Sequence, residues 1–291
     1  MNLAAQFNDY IRQQNSAPRT DFCGLNPDQI YRLIYSSLGP GSPVRLCENL
    51  PDAVLDQVPL LLLTEAFLRI IRRDKSIKLT AAGALPRKYL LELYGLGLLP
   101  EPNLDSGLIK LSREQDSLVL SALHINTILA GLAKKVHGQL TLTKKAEQLL
   151  TPTQRPALLE VVLVTFTEKF NWPYFDLYPS ESTGQMAWLY SVYLLAKFGH
   201  EVRPASFYAD KYQLAFPLVR ADFPDQPYAS PEQQLRRCYC VRTFGRSLNW
   251  FGLVTVGNSP HYLDTDSSQV AATGLLAQLF DVWQAPETPI L

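Results

Sequence analysis

Two four-residue segments, Ile77-Lys78-Leu79-Thr80 and Leu140-Thr141-Leu142-Thr143, constrain this chain more than any other feature. Each alternates apolar and polar side chains over the length of a short strand, which leaves the apolar residues on one face of a small sheet. Each also follows a basic pair at the close of a helical run, Arg72-Arg73 in one case and Lys134-Lys135 in the other. A tandem repeat would explain the echo. A single module explains it better, with the early strand pairing against a late hairpin and two helices running between them.

The flanking helices fit that module. Asn26-Pro27-Asp28 is a strong helix start, with Asn as cap, Pro in the first turn and an acid at the positive end of the helix dipole. Ile30, Leu33 and Ile34 give that helix one apolar face, and Gly39-Pro40-Gly41-Ser42-Pro43 ends it. Further helices are expected over Glu65–Arg73, Leu85–Tyr94 and Ser117–Lys135. In the second half, helices are expected over 156–170, 186–198, 205–219 and 231–249. A strand Trp250–Val256, a turn Gly257–Pro260 and a returning strand His261–Leu263 follow, then a terminal helix Gln269–Trp283. Helix, strand, helix, helix, hairpin is the element order of a winged helix. The expected fold class is therefore mainly α with small β-wings, as two winged-helix-like modules packed together. Residues 1–25 form an N-terminal helix and linker, 26–150 the first module and 151–291 the second.

The strings PDQIYRLIYSSL, KLTAAGALPRKYLLELY, GQLTLTKKAEQLL and NWFGLVTV together resemble an uncharacterised family of bacterial helical proteins. The LT-x-x-G-x-LP turn at Leu79–Pro86 carries most of the likeness, which would span most of residues 22–283. These motifs are structural, so the resemblance implies no active-site residue. The winged-helix analogy raises nucleic-acid binding as an expectation, although a fold does not by itself fix a function.

Charge separates the partner classes only weakly. Lys plus Arg and Asp plus Glu both number 27 across 291 residues. Residues 1–150 hold 17 basic and 14 acidic side chains and 151–291 hold 10 and 13, so the halves differ in sign by three units each way. Four cysteines without framework spacing suggest reduced thiols, and no apolar run is long enough for a membrane span. A cytoplasmic protein without cofactors is expected.

Catalytic signatures are absent: the chain has no G-x-G-x-x-G, Walker A, G-x-S-x-G or H-E-x-x-H string. His124, His137, His200 and His261 are scattered, and His124 in its apolar helix reads as a hydrogen-bonded core histidine, so no metal site is expected. Asp264 and Asp266 near His261 read as solvated loop acids. Two basic patches remain. Arg72, Arg73, Arg87 and Lys88, with Arg69, Lys75 and Lys78, converge through strand–turn–helix geometry. Arg236, Arg237, Arg242 and Arg246 lie on the 231–249 helix, with Arg242 and Arg246 one turn apart and away from the Val241, Phe244, Leu248 stripe. Exposed arginines so placed suit phosphate contact. The apolar helix 117–135 lacks a row of Arg, Gln or Asn for reading bases. Five aromatics within 170–179 suggest a buried plug between the halves. Two non-enzymatic functions stay open: a DNA-binding regulator or accessory of a mobile or defence system, or a protein–protein scaffold that binds no nucleic acid.

Overall fold

The computed structural model describes residues 3–257 and 267–284. It is mainly helical, with small antiparallel sheets of two or three strands. The expected return strand His261–Leu263 and the acids Asp264 and Asp266 lie outside the described residues. The chain forms a central unit, Asn49–Asn171, and a terminal unit made of Met1–Glu48 with Trp172–Leu291. The linear division expected near residue 150 does not hold, because the N-terminal elements pack with the C-terminal ones.

The terminal unit begins with α1 (Leu3–Ser16), α2 (Pro27–Tyr35) and β1 (Val44–Leu46). The start of α2 is the expected capping box: Gln29 N donates to Asn26 Oδ1 at 2.8 Å, and Asn26 N donates to Gln29 Oε1 at 2.9 Å. Ile30 and Leu33 are the buried side of α2, which packs on α10 (Trp188–Phe198).

In the central unit come α3 (Asp52–Leu55), α4 (Pro59–Asp74), β2 (Ile77–Lys78), α5 (Arg87–Tyr94) and α6 (Pro102–Asp105). They are followed by α7 (Leu118–Leu129), β3 (Ala133–Val136), β4 (Gln139–Leu142), α8 (Lys144–Leu149) and α9 (Arg155–Val164). Proline at the first turn starts α4, whose Leu60, Leu61, Leu63, Phe67, Leu68, Ile70 and Ile71 form the core face. The three strands order β2–β4–β3, with Ile77 opposite Leu140, as the single-module reading expects. Gly83 sits in the β2–α5 turn at φ +76°, a conformation that favours glycine.

After α10 the terminal unit continues with β5 (Arg203–Pro204), α11 (Ala205–Ala215), α12 (Pro231–Arg242) and α13 (Leu248–Trp250). It ends with β6 (Val254–Val256), β7 (Gln269–Ala272), α14 (Gly274–Leu279) and β8 (Phe280–Val282). A π-helical stretch, Thr243–Ser247, joins α12 to α13. Two expectations are corrected here. The strand expected from Trp250 starts only at Val254, because Gly252 turns the chain at φ +73°. The terminal helix Gln269–Trp283 is instead strand, helix and strand. β7 pairs with β6, and β8 pairs with β1 through Phe280 and Leu46, a partner more than 200 residues upstream that no local window can reveal.

The two units share one topology. Helix, strand, two helices, hairpin and capping helix run α4–β2–α5–α7–β3–β4–α8 in one and α10–β5–α11–α12–β6–β7–α14 in the other. The sheet orders β2–β4–β3 and β5–β7–β6 correspond strand for strand. The register does too: Ile77 faces Leu140 as Arg203 faces Val270, and Ala133 faces Leu142 as Val254 faces Ala272.

Candidate nucleic-acid interface

The central unit carries 15 basic and 12 acidic residues, and its acids are largely turned to internal tasks. Glu65 is 2% exposed and takes Arg155 Nε at 2.7 Å and Arg69 Nη2 at 3.0 Å. Arg155 also binds Asp52 at 2.7 Å and Asp56 at 2.8 Å, so one arginine closes α3 and α4 onto α9. Glu101 caps α7, accepting from Leu118 N at 2.8 Å and from Ser117 Oγ, and burial pushes its carboxyl up from the ordinary value. Glu114 accepts from Leu85 N and lies 2.9 Å from His124 Nδ1. His124 is thus the buried, hydrogen-bonded histidine expected of its apolar helix. Asp116 accepts from Arg113 N at 2.7 Å and Ser112 N at 2.9 Å.

The predicted basic residues of this unit divide into spent and free. Arg73 holds Asp74 at 2.7 Å and Glu92 at 3.1 Å, and Lys88 Nζ lies 3.9 Å from Asp74. Arg73, with Tyr89 donating at 2.9 Å, holds the Asp74 carboxyl down at about 2. Arg87 is exposed, with Nε on Leu111 O at 3.1 Å. Arg72 is half exposed and reaches Glu147 only at 4.0 Å. That contact brings the last turn of α4 beside the first turns of α8.

Six exposed lysines surround the three-stranded sheet: Lys75, Lys78, Lys134, Lys135, Lys144 and Lys145. Among the described residues none of them has a carboxylate partner; Lys135 donates to Gly83 O at 3.1 Å and Lys145 to Ala130 O at 2.9 Å. Lys78 stands opposite Gln139 and Lys134 opposite Thr141. Because side chains alternate along a strand, both lysines occupy the solvent face of the sheet, opposite to the buried Leu140. The sequence marks Lys134-Lys135 as the end of a helix, whereas both lie in β3. The hairpin register, invisible to a helical wheel, is what groups Lys134 with Lys78 on one face.

The second predicted patch is corrected. Arg242 is fully buried. Its Nε and Nη2 bind Asp176 at 3.0 and 2.8 Å, and its Nη1 donates to Ser180 O at 2.9 Å and Thr183 O at 3.1 Å. Arg246 joins the same carboxylate at 2.9 Å and Phe175 O at 3.0 Å. The π stretch at 243–247 adds a residue to the turn and re-aims Arg246 from where a regular helix would carry it. The 172–187 segment then covers the face that the wheel leaves to solvent. Arg236 is half-buried and paired with Asp210 at 2.6 Å. The structure thus places Arg236, Arg242 and Arg246 in ion pairs of the terminal unit's own acids. The aromatic segment differs too: Phe170 and Trp172 are buried, but Tyr174 is 71% exposed.

Among the described residues no group of His, Cys, Asp or Glu is arranged to hold a metal ion, the four cysteines are free thiols, and no helix is long and apolar enough to cross a membrane. Residues 56–157, most of the central unit, match the Y4jL N-terminal domain, which belongs to an uncharacterised family. No curated protein and no solved structure matches the chain.

Proposed function

We propose that this is a non-enzymatic, cytoplasmic bacterial protein with two winged-helix-like modules, and that the central one binds nucleic acid through its phosphates. The observation that supports this reading is the ring of lysines without carboxylate partners, among the described residues, about β2, β3 and β4, set against acids of the same unit that are bound internally. Lysines on a sheet and on the adjoining helix ends are suited to contacting a polyanion without reading bases. The contact set is Arg72, Lys75, Lys78, Lys134 and Lys144, with Arg87 beside it. Arg73 and Lys88 are offset by Asp74 and Glu92 and contribute less.

Retention of the full chain on duplex DNA, followed through a salt gradient, tests the reading. Binding at low salt should fall steeply as salt rises. Charge reversal of Lys78 and Lys134 should abolish retention while the thermal melt stays within a few degrees. A scaffold role draws support from the terminal unit, where Tyr174, Leu177, Leu218 and Tyr228 are more than two-thirds exposed. Absence of duplex retention at any salt would make that second reading the leading one.

A further inference from the structure

Taking the lysine face proposed above as the binding surface, we infer that its ligand is double-stranded nucleic acid gripped by its phosphates, without regard to base sequence. The internal copy of the module shows that the lysines are not demanded by the fold. Register and hydrogen bonding equate Lys78 with Pro204, Lys134 with Thr255, Lys135 with Val256, Lys144 with Gly274 and Lys145 with Leu275. One topology thus carries five lysines in the central unit and none at the same places in the terminal unit.

Base reading lacks its reader. In this topology the third helix is the element that enters a groove, and α7 holds that place in the central unit. All its polar side chains are buried and engaged at home. Ser121 donates to Glu114 O at 2.8 Å, Thr127 to Leu123 O at 2.7 Å and Asn126 to Val162 O at 3.4 Å, while His124 meets Glu114. What α7 leaves accessible is Leu118, Ile125, Ile128 and Leu129, none of which can distinguish base edges by hydrogen bonding.

Single strands lack their platform. Non-specific single-strand binders stack bases on exposed aromatic rings. The central unit has five Phe, Tyr and Trp residues in all. Phe67, Phe166 and Phe170 are buried, while Tyr89 and Tyr94 are half-buried with hydroxyls bound to Asp74 and Asp105. Lys78 and Lys134, by contrast, flank β4 on one face at a separation on the order of 10 Å, two strand spacings. A surface that offers cations and no rings selects a rigid, closely spaced row of phosphates, which a duplex supplies.

The test uses the full chain in fluorescence anisotropy with three probes: a duplex carrying a randomised core, a fixed duplex of the same length, and one strand of that fixed duplex. Both duplexes should bind within about threefold of each other, the single strand at least fivefold more weakly, and sequencing of bound random-core molecules should show no enriched motif. Lys78→Glu with Lys134→Glu should weaken duplex binding more than tenfold, while Thr255→Glu, at the equivalent site of the terminal unit, should change it less than twofold. An enriched motif, or a single strand that binds as well as the duplex, overturns the inference but leaves the phosphate-binding reading standing. Failure of every probe to bind in low salt overturns both.

Discussion

Thr143 and Thr273 make the same pair of hydrogen bonds in the two units. Each Oγ1 donates at 2.7 Å to the carbonyl of a left-handed glycine, Gly131 or Gly252. Each backbone N–H donates to the following leucine, Leu132 at 3.1 Å and Leu253 at 3.0 Å. The threonine thus ties the last turn before the hairpin to the first turn after it. Thr143→Val and Thr273→Val should each cost about 1 kcal/mol, with Thr143→Val the larger because Thr143 Oγ1 also caps α8 by accepting from Ala146 N at 3.2 Å. Urea unfolding of the two variants checks this, and unchanged midpoints in both would remove the lock.

Arg242 and Arg246 should separate cleanly in stability. Arg242→Met leaves Asp176 short of its bidentate partner in a buried site and should cost about 3–5 kcal/mol. Arg246→Ala leaves the Arg242 pair intact and should cost less than half as much. Neither change should alter duplex binding. If both variants melt like the parent and lose binding, Arg242 and Arg246 belong to the interface after all.

These arginines mark where sequence reading stops. The early-strand pairing of Ile77 with Leu140, the Asn26 cap and the glycine turn at Leu79–Pro86 were legible, because each depends on residues within one module and on local chemistry. The fate of Arg242 was not. It depends on Asp176, 66 residues away, and on a π stretch that breaks the 100° periodicity. The lysine face was half legible: Lys78 fell within a recognised patch, but Lys134 joins it only through the register of β3 on β4. The β1–β8 pairing is set wholly by distant tertiary structure.

A second buried hub makes its own prediction. Arg155 is the main partner of Glu65, and its removal by Arg155→Met should destabilise the central unit by roughly 3 kcal/mol. Adding Glu65→Leu should restore much of that loss, since no buried carboxylate then goes unpaired. A double variant as unstable as the single one would show that packing, not charge, sets the cost.

Acidification should weaken the central unit in a defined window. Arg73 first and Tyr89 second hold Asp74 down at about 2, Arg73 lowers Glu92, and the N–H groups of Arg113 and Ser112 lower Asp116. Carboxyls depressed in the folded state add stability above their unfolded value near 4, and this is lost as pH falls toward 2. Glu101, raised by burial, has the opposite sign: its contribution is present below its unfolded value and lost as pH rises through its folded one. Stability measured from pH 6 to 2 should therefore fall on the acid side, and Asp74→Asn should flatten that fall. An equally steep acid limb in Asp74→Asn would exclude its role.

The salt dependence of duplex binding measures the lysine face most directly. Each phosphate contact contributes about −0.9 to the slope of log Kobs against log salt for B-form DNA. Replacing Lys78, Lys134 and Lys144 together by alanine should reduce the magnitude of the slope by about 2 to 3 while leaving the melt unchanged. A triple variant with the parent's slope, or a parent chain with no measurable slope, would contradict the assignment of nucleic-acid binding to this face.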